Sequence, residues 1–233
     1  MTRTAPTHHR RTYVRTVLVV LAVLMAVVGG AWVAAEVVVA NTPPPLELPE
    51  PVAAATLDPT QPFDAEGTWT AAAGSEAGYR IGEDLGGRHV EVVGRTGEVT
   101  GTVTVTRGRL TEAVVVVDVA AIVTDDSARD AYFRRAMDTS TYPEATFTLT
   151  EAVTLPDLTS GDRVPVTATG ELAMHGVVLP ATVELRAQRT VEGIEVVGAI
   201  PLVLEDLGLV APDLTFVSVE PAGTVEFHLV LTR

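Results

Sequence analysis

The chain has 233 residues, 16 basic and 30 acidic side chains, a formal net charge of −14 and no cysteine. The missing cysteine excludes disulfides, thiolate catalysis and thiolate metal sites, and so acidic a chain repels nucleic acid and anionic lipid headgroups. All 16 basic residues are arginine, so a Ser-x-x-Lys catalytic motif is excluded as well.

Residues 1–15 form a basic tail that includes His8, His9, Arg10, Arg11 and Arg15. Val17–Ala35 follows as an uncharged run of about nineteen residues, long enough to cross a bilayer as a helix. Arginines before it and acids after it place the N-terminus in the cytoplasm and the remainder outside. The expectation is a single-pass transmembrane signal anchor over residues 16–40, hence a cell-membrane protein. The alternative is a cleaved signal peptide and a secreted protein, with Val38 and Ala40 framing a small-residue cleavage site before Asn41. Both readings export the same domain. Residues 1–40 carry four arginines and one acid, so residues 41–233 keep 12 basic and 29 acidic side chains, a net charge of −17. Residues 41–62 contain Pro43, Pro44, Pro45, Pro49, Pro51, Pro59 and Pro62. That composition favours an extended, semi-rigid extracytoplasmic linker, leaving residues 63–233 as the folded domain.

Within that domain the pattern is mostly period two. Val99, Val103 and Val105 share one face and Thr100, Thr102, Thr104 and Thr106 the other, which predicts a strand. Arg107-Gly108-Arg109 reads as a tight turn, and Leu110–Val119 as the returning strand. One helix interrupts the series. Thr124, Asp125 and Asp126 offer capping oxygens; Ala128, Tyr132 and Ala136, and likewise Phe133 and Met137, recur at four-residue spacing. Tyr142-Pro143 ends it, since the residue before proline is pushed toward extended geometry. Ala145, Phe147 and Leu149 then alternate with Thr146, Thr148 and Thr150. Val164, Val166, Ala168, Gly170 and Leu172 form another alternating set, His175-Gly176 a turn, and Ala181–Arg189 the return, with Val183 and Leu185 on its inner face. Residues 191–194 turn again into Glu195–Leu204. Thr224–Thr232 closes the chain, with Val225, Phe227, Leu229 and Leu231 on one face and His228 on the other. Many short strands with one helix predict an all-β domain, and periodicity alone leaves sandwich and barrel both open.

The stretch from Arg129 to Phe147 carries further information. Arg129, Asp130, Phe133, Tyr142, Pro143, Thr146 and Phe147 together resemble a signature of the YceI-like family, the lipocalin-like polyisoprenoid-binding proteins. Gly170–Val177 with Pro180 resembles a second signature. Gly67-Thr68-Trp69 with Ser75, and Asp206–Leu209, are weaker matches that frame the two, so the resemblance covers about Gly67 to Leu231. Ala173, Val178 and Leu179 depart from it, where the family often has threonine, threonine and a basic residue. The resemblance implies an elongated eight-stranded antiparallel lipocalin-like barrel with a long isoprenoid in its lumen. A barrel of about eight strands has just enough interior for side chains or one small ligand. The hypothesised lumen wall is Val103, Val105, Phe147, Leu149, Val166, Leu172, Val183, Leu185, Phe227 and Leu229.

Nothing in the sequence assembles catalytic or metal chemistry. His89, His175 and His228 are far apart and lack ligand spacing; His175 reads as a turn residue bonding nearby backbone, and His228 as a solvated one. Asp125, Asp126 and Asp130 lack the glycine and terminal glutamate of a calcium loop. No nucleophile-elbow motif occurs, and the chain reads as a non-enzyme without a cofactor. The expected function is a membrane-tethered extracytoplasmic binding protein holding an isoprenoid, neutral or quinone-like, or another long apolar lipid. The alternative is a non-catalytic interaction or stress-response domain with a filled core. The expected partners are the isoprenoid lipid and the membrane; no nucleic acid is expected, no protein partner is named, and a dimer is left open.

Overall fold

The computed structural model describes residues 42–47 and 63–233. The predicted membrane span, the basic tail and most of the proline-rich linker lie outside the described residues. No helix among the described residues is long and apolar enough to cross a membrane.

Eleven strands form one antiparallel sheet: β1 (Gly67–Ala71), β2 (Glu76–Leu85), β3 (Arg88–Thr96), β4 (Val99–Thr106), β5 (Arg109–Asp118), β6 (Glu144–Leu149), β7 (Val153–Thr154), β8 (Val164–Met174), β9 (Val177–Arg189), β10 (Ile194–Val203) and β11 (Val217–Thr232). Around the ring the order is β1-β4-β5-β6-β8-β9-β10-β11, and β1 pairs β11 to close it. β2 continues β1 along β11, and β3 pairs β2 as β4 pairs β1. The two couples are therefore interrupted long staves, and the closed barrel has eight. Ser75 bridges one interruption: its hydroxyl accepts from the Val230 N–H at 3.0 Å, while the Ala72 N–H donates to the Val230 carbonyl at 2.8 Å. The long hairpin turns at Gly86-Gly87, with φ of 59° and 84°, a left-handed pair that glycine adopts without strain.

The helix α1 (Ser127–Ala136) starts on Asp126, whose carboxylate accepts from the Ala128 and Arg129 N–H groups. Its Phe133 and Met137 face the barrel. Met137 is buried and Phe133 half-buried, stacked on Tyr79 at 4.8 Å. The rest of the single predicted apolar face, Ala128, Tyr132 and Ala136, is exposed instead, because one helix lying across a barrel mouth buries a narrow stripe. Asp130 is buried, with its carboxylate bound by the Thr124 N–H and hydroxyl at 2.7 Å each.

The wall is not uniform. The β9–β10 ladder runs from Arg189/Ile194 only to Glu184/Ala199. Beyond that point Val177–Val183 and Ile200–Val203 are not paired with each other, and Pro180 and Pro201 lie on the facing edges. Proline, without an N–H, is at home on such an edge. Side chains of Ala181, Val183 and Ile200 close the seam as one apolar cluster.

Candidate functional site: an apolar cavity along the barrel axis

Inside the barrel is a cavity of about 660 Å³. One end is stopped by Trp69, packed on Leu229, Leu231 and Ile194, with its indole N–H donating to the Ala65 carbonyl at 2.9 Å. Phe63 and the Arg233 guanidinium cover its outer side. The other end is roofed by α1 and by the 3-10 turn Leu204–Leu207, whose Leu207 is almost fully buried. Between α1 and the chain after Leu207 the cavity opens to solvent, where Tyr132, Val210 and Leu214 are exposed on its rim.

All ten sequence-assigned lumen residues lie on this cavity: Val103, Val105, Phe147, Leu149, Val166, Leu172, Val183, Leu185, Phe227 and Leu229. Thr104 and Thr148 are on the outside. The register explains the convergence, since Phe147 pairs Leu172, Val166 pairs Leu185 and Val183 pairs Ala168, so inward residues meet inward residues. The bore stays open because two aromatic rings lie flat on the wall. A Cβ on Gly198 would stand 2.5 Å from Cζ of Phe227, and one on Gly170 would stand 2.5 Å from Cζ of Phe147. The glycines supply the slots that the rings occupy.

Sequence reasoning placed Phe133 and Met137 of α1 against the barrel but missed the wall supplied by β2 and by Arg129. Tyr79, Glu83, Arg129 and Phe133 border the cavity at its open end. Arg129 donates to Asp125 at 2.8 Å and reaches Glu83 at 3.4 Å. Tyr79 makes no hydrogen bond among the described residues, and burial, opposed in part by Arg129, pushes its hydroxyl pKa far above the ordinary phenol range, so it stays a neutral donor. The alternation Tyr79, Ile81, Glu83, Leu85 was the available signal, masked by charges on both faces of the strand. Arg80 borders the cavity too, but its guanidinium is held by Glu226 at 2.8 Å, Glu91 at 3.0 Å and the Pro43 carbonyl at 3.0 Å.

The histidines do other work. His175, at φ 52°, donates from Nδ1 to the Leu207 carbonyl at 2.9 Å, fastening the roof turn. His228 is not solvated as expected: it is half-buried against Glu195 at 2.9 Å, because the two lie diagonally on one face of the paired strands β10 and β11, where His228 is opposite Val197. Among the described residues no cluster of three or more His, Cys, Asp or Glu could hold a metal ion.

A polyisoprenoid binding domain from Saccharophagus degradans implicated in plant cell wall breakdown aligns with 21% identity and a TM-score of 0.54, covering 72% of this chain and 98% of that one. Burkholderia cenocepacia BcnA aligns with 19% identity and a TM-score of 0.52, covering 66% of this chain and 96% of that one. These likenesses establish the shared lipocalin-like barrel. Comparison with curated proteins gives no match. The model of the YceI-like domain matches residues 70–231, and the chain belongs to that family.

Proposed function

We propose that the barrel binds one long isoprenoid or similarly apolar lipid in its lumen, and that the chain holds this domain outside the cytoplasm, tethered by residues 16–40. The observation that carries the binding reading is the open, apolar cavity of about 660 Å³, a size within the ~300–1,000 Å³ range of small-molecule sites. The polyisoprenoid-binding relative of the same fold supports the ligand class. At roughly 30 Å³ per carbon-sized group, the lumen holds on the order of twenty carbons. Each five-carbon unit buried contributes about 4 kcal/mol at ~0.8 kcal/mol per methylene, against an association cost of about 4–15 kcal/mol. One or two units leave little surplus; four give tight binding without polar contacts. An unfilled lumen weighs against the alternative of a plugged interaction domain.

The test is native mass spectrometry of the full chain purified from membranes, followed by organic extraction. A stoichiometric lipid released only on unfolding is the expected result; an unliganded mass from several hosts, unable to take up added C20 isoprenoids, refutes the binding reading. Protease added to spheroplasts checks the tether: the barrel should be cleaved from a protein that stays in the membrane fraction, whereas a soluble product beginning at Asn41 would show a cleaved signal instead.

A further inference from the structure

We infer that the loop of residues 208–216, beside the cavity mouth, docks on the lipid bilayer that holds the tether. The barrel then stands mouth-down on its own membrane, and its lipid enters without crossing water. The inference rests on the tether and the lipid binding proposed above and adds the orientation. The loop is ordered, yet it turns apolar side chains outward. Leu214 and Val217 exchange backbone hydrogen bonds of 2.8 and 3.3 Å, the Val219 N–H donates to the Pro212 carbonyl at 2.9 Å, and the Gly86 N–H donates to the Phe216 carbonyl at 2.9 Å. Val210, Leu214 and Phe216 are nevertheless 90%, 66% and 73% exposed. A backbone fixed in this way keeps those side chains in water, a cost that contact with an apolar surface removes. Across the opening stands exposed Tyr132, with the Arg135 guanidinium 5.5 Å over its ring, a pair suited to the headgroup layer.

The occupant follows from where the chain joins the barrel. The Thr42 hydroxyl donates to the Glu91 carbonyl at 3.0 Å, Arg80 donates to the Pro43 carbonyl at 3.0 Å, and Arg95 donates to the Pro44 carbonyl. Glu91 pairs Gly82 and Arg95 pairs Gly78, while Leu85, at the tip of the same hairpin, pairs Val217 beside the loop. Residues 42–44 therefore run down the outer wall away from the mouth, with Thr42 nearest to it. The chain is next described at Phe63, against Trp69 at the closed end. Thr42 follows Ala35, the end of the apolar run, by 42 − 35 = 7 residues, a reach of roughly 25 Å at ~3.3–3.6 Å per residue. So short a link brings the mouth end to the bilayer in preference to the closed end. With a net charge of −17 on residues 41–233, charge does not draw the domain to anionic headgroups. The contact is one of apolar side chains with the interface.

The chain has no cysteine, so single introduced cysteines report position. The full chain is reconstituted in phosphatidylcholine nanodiscs as Val210→Cys, Phe216→Cys or Arg107→Cys, each labelled with the fluorophore NBD. Arg107 lies in the turn between β4 and β5, at the closed end. At the first two positions emission should shift to the blue and fall about twofold when doxyl-labelled lipid is included; at the third it should do neither. Leu214→Asp with Phe216→Asp should abolish the quenching at Val210→Cys. The same pair should slow uptake of tritiated geranylgeraniol from the nanodisc by about tenfold, since two apolar anchors are lost. In a chain retained on the nanodisc, no quenching at the mouth positions, or equal quenching at the closed end, overturns the docking. Uptake at the wild-type rate by the Asp variant overturns direct entry. Quenching without any uptake by wild type overturns the lipid-binding reading and leaves the orientation standing. A chain that the nanodisc does not retain overturns the tether, and this inference with it.

Discussion

Gly198→Ala tests whether the bore is kept open by rings lying in glycine slots. The new Cβ would stand 2.5 Å from Cζ and 3.0 Å from Cε1 of Phe227, and 3.1 Å from Cβ of Leu185. Carbon contacts settle near 3.5–4.0 Å, so the ring must retreat by about 1 Å or more. The wall blocks one direction and the cavity lies in the other, so Phe227 swings into the lumen. Overpacking costs about 1–3 kcal/mol, and alanine in a strand recovers about 0.5–1 kcal/mol over glycine, for a net loss of about 0–2.5 kcal/mol. Stability is modestly lowered while capacity falls sharply, a separation that urea titration and C20 isoprenoid uptake would read side by side. Adding Phe227→Ala should restore uptake. A loss above about 4 kcal/mol, or undiminished uptake in the single variant, would refute the argument, since the ring would then have had nowhere to go or no need to move.

Three further outcomes are expected. Val166→Trp should remain folded, with a β-type spectrum and a loss of about 1–3 kcal/mol, yet release the lipid; retention of lipid would place the ligand elsewhere. Phe133→Ala should cost about 2 kcal/mol in a denaturant titration, below the ~3–5 kcal/mol of a fully buried phenylalanine, because its ring is half-buried against Tyr79. The Asp138 carboxyl is held below its ordinary range by hydrogen bonds from Thr141 and Ser140; its contribution is present above the ordinary carboxylate pKa and lost as pH falls through the lowered one. The melting-temperature gap between wild type and Asp138→Asn should therefore be present at pH 7 and close only as pH falls below the ordinary carboxylate range.

The strands whose two faces differ in chemistry were legible in the sequence. Val103 and Val105 against Thr104, and Phe147 and Leu149 against Thr148, point the way alternation assigns them, because one face meets the lumen and the other meets water. β2 and β3 were not legible: Arg80, Glu83, Glu91 and Arg95 put charge on both faces, since one face feeds an external ion cluster and the other the polar mouth. The last strand begins at Val217, not Thr224, and the register shift between Val219 and Gly223 hides the continuation. Closure itself rests on the contact of Thr70 and Ala71 with Thr232 and Leu231, a pairing between the two ends of the domain that no local pattern encodes.

The seam between β9 and β10 gives the barrel a direction of weakness. Along the paired ladders of the ring, parting two staves breaks a row of backbone hydrogen bonds worth about 0.5–1.5 kcal/mol each. Between Val177–Val183 and Ile200–Val203 no such row exists, and separation costs only the contact of a few aliphatic side chains. The clasp from His175 to the Leu207 carbonyl lies over the same end. Thermal fluctuation should therefore part the wall sideways along this seam, and amide protons flanking Pro180 and Pro201 should exchange with solvent ahead of those in the β4–β5 ladder.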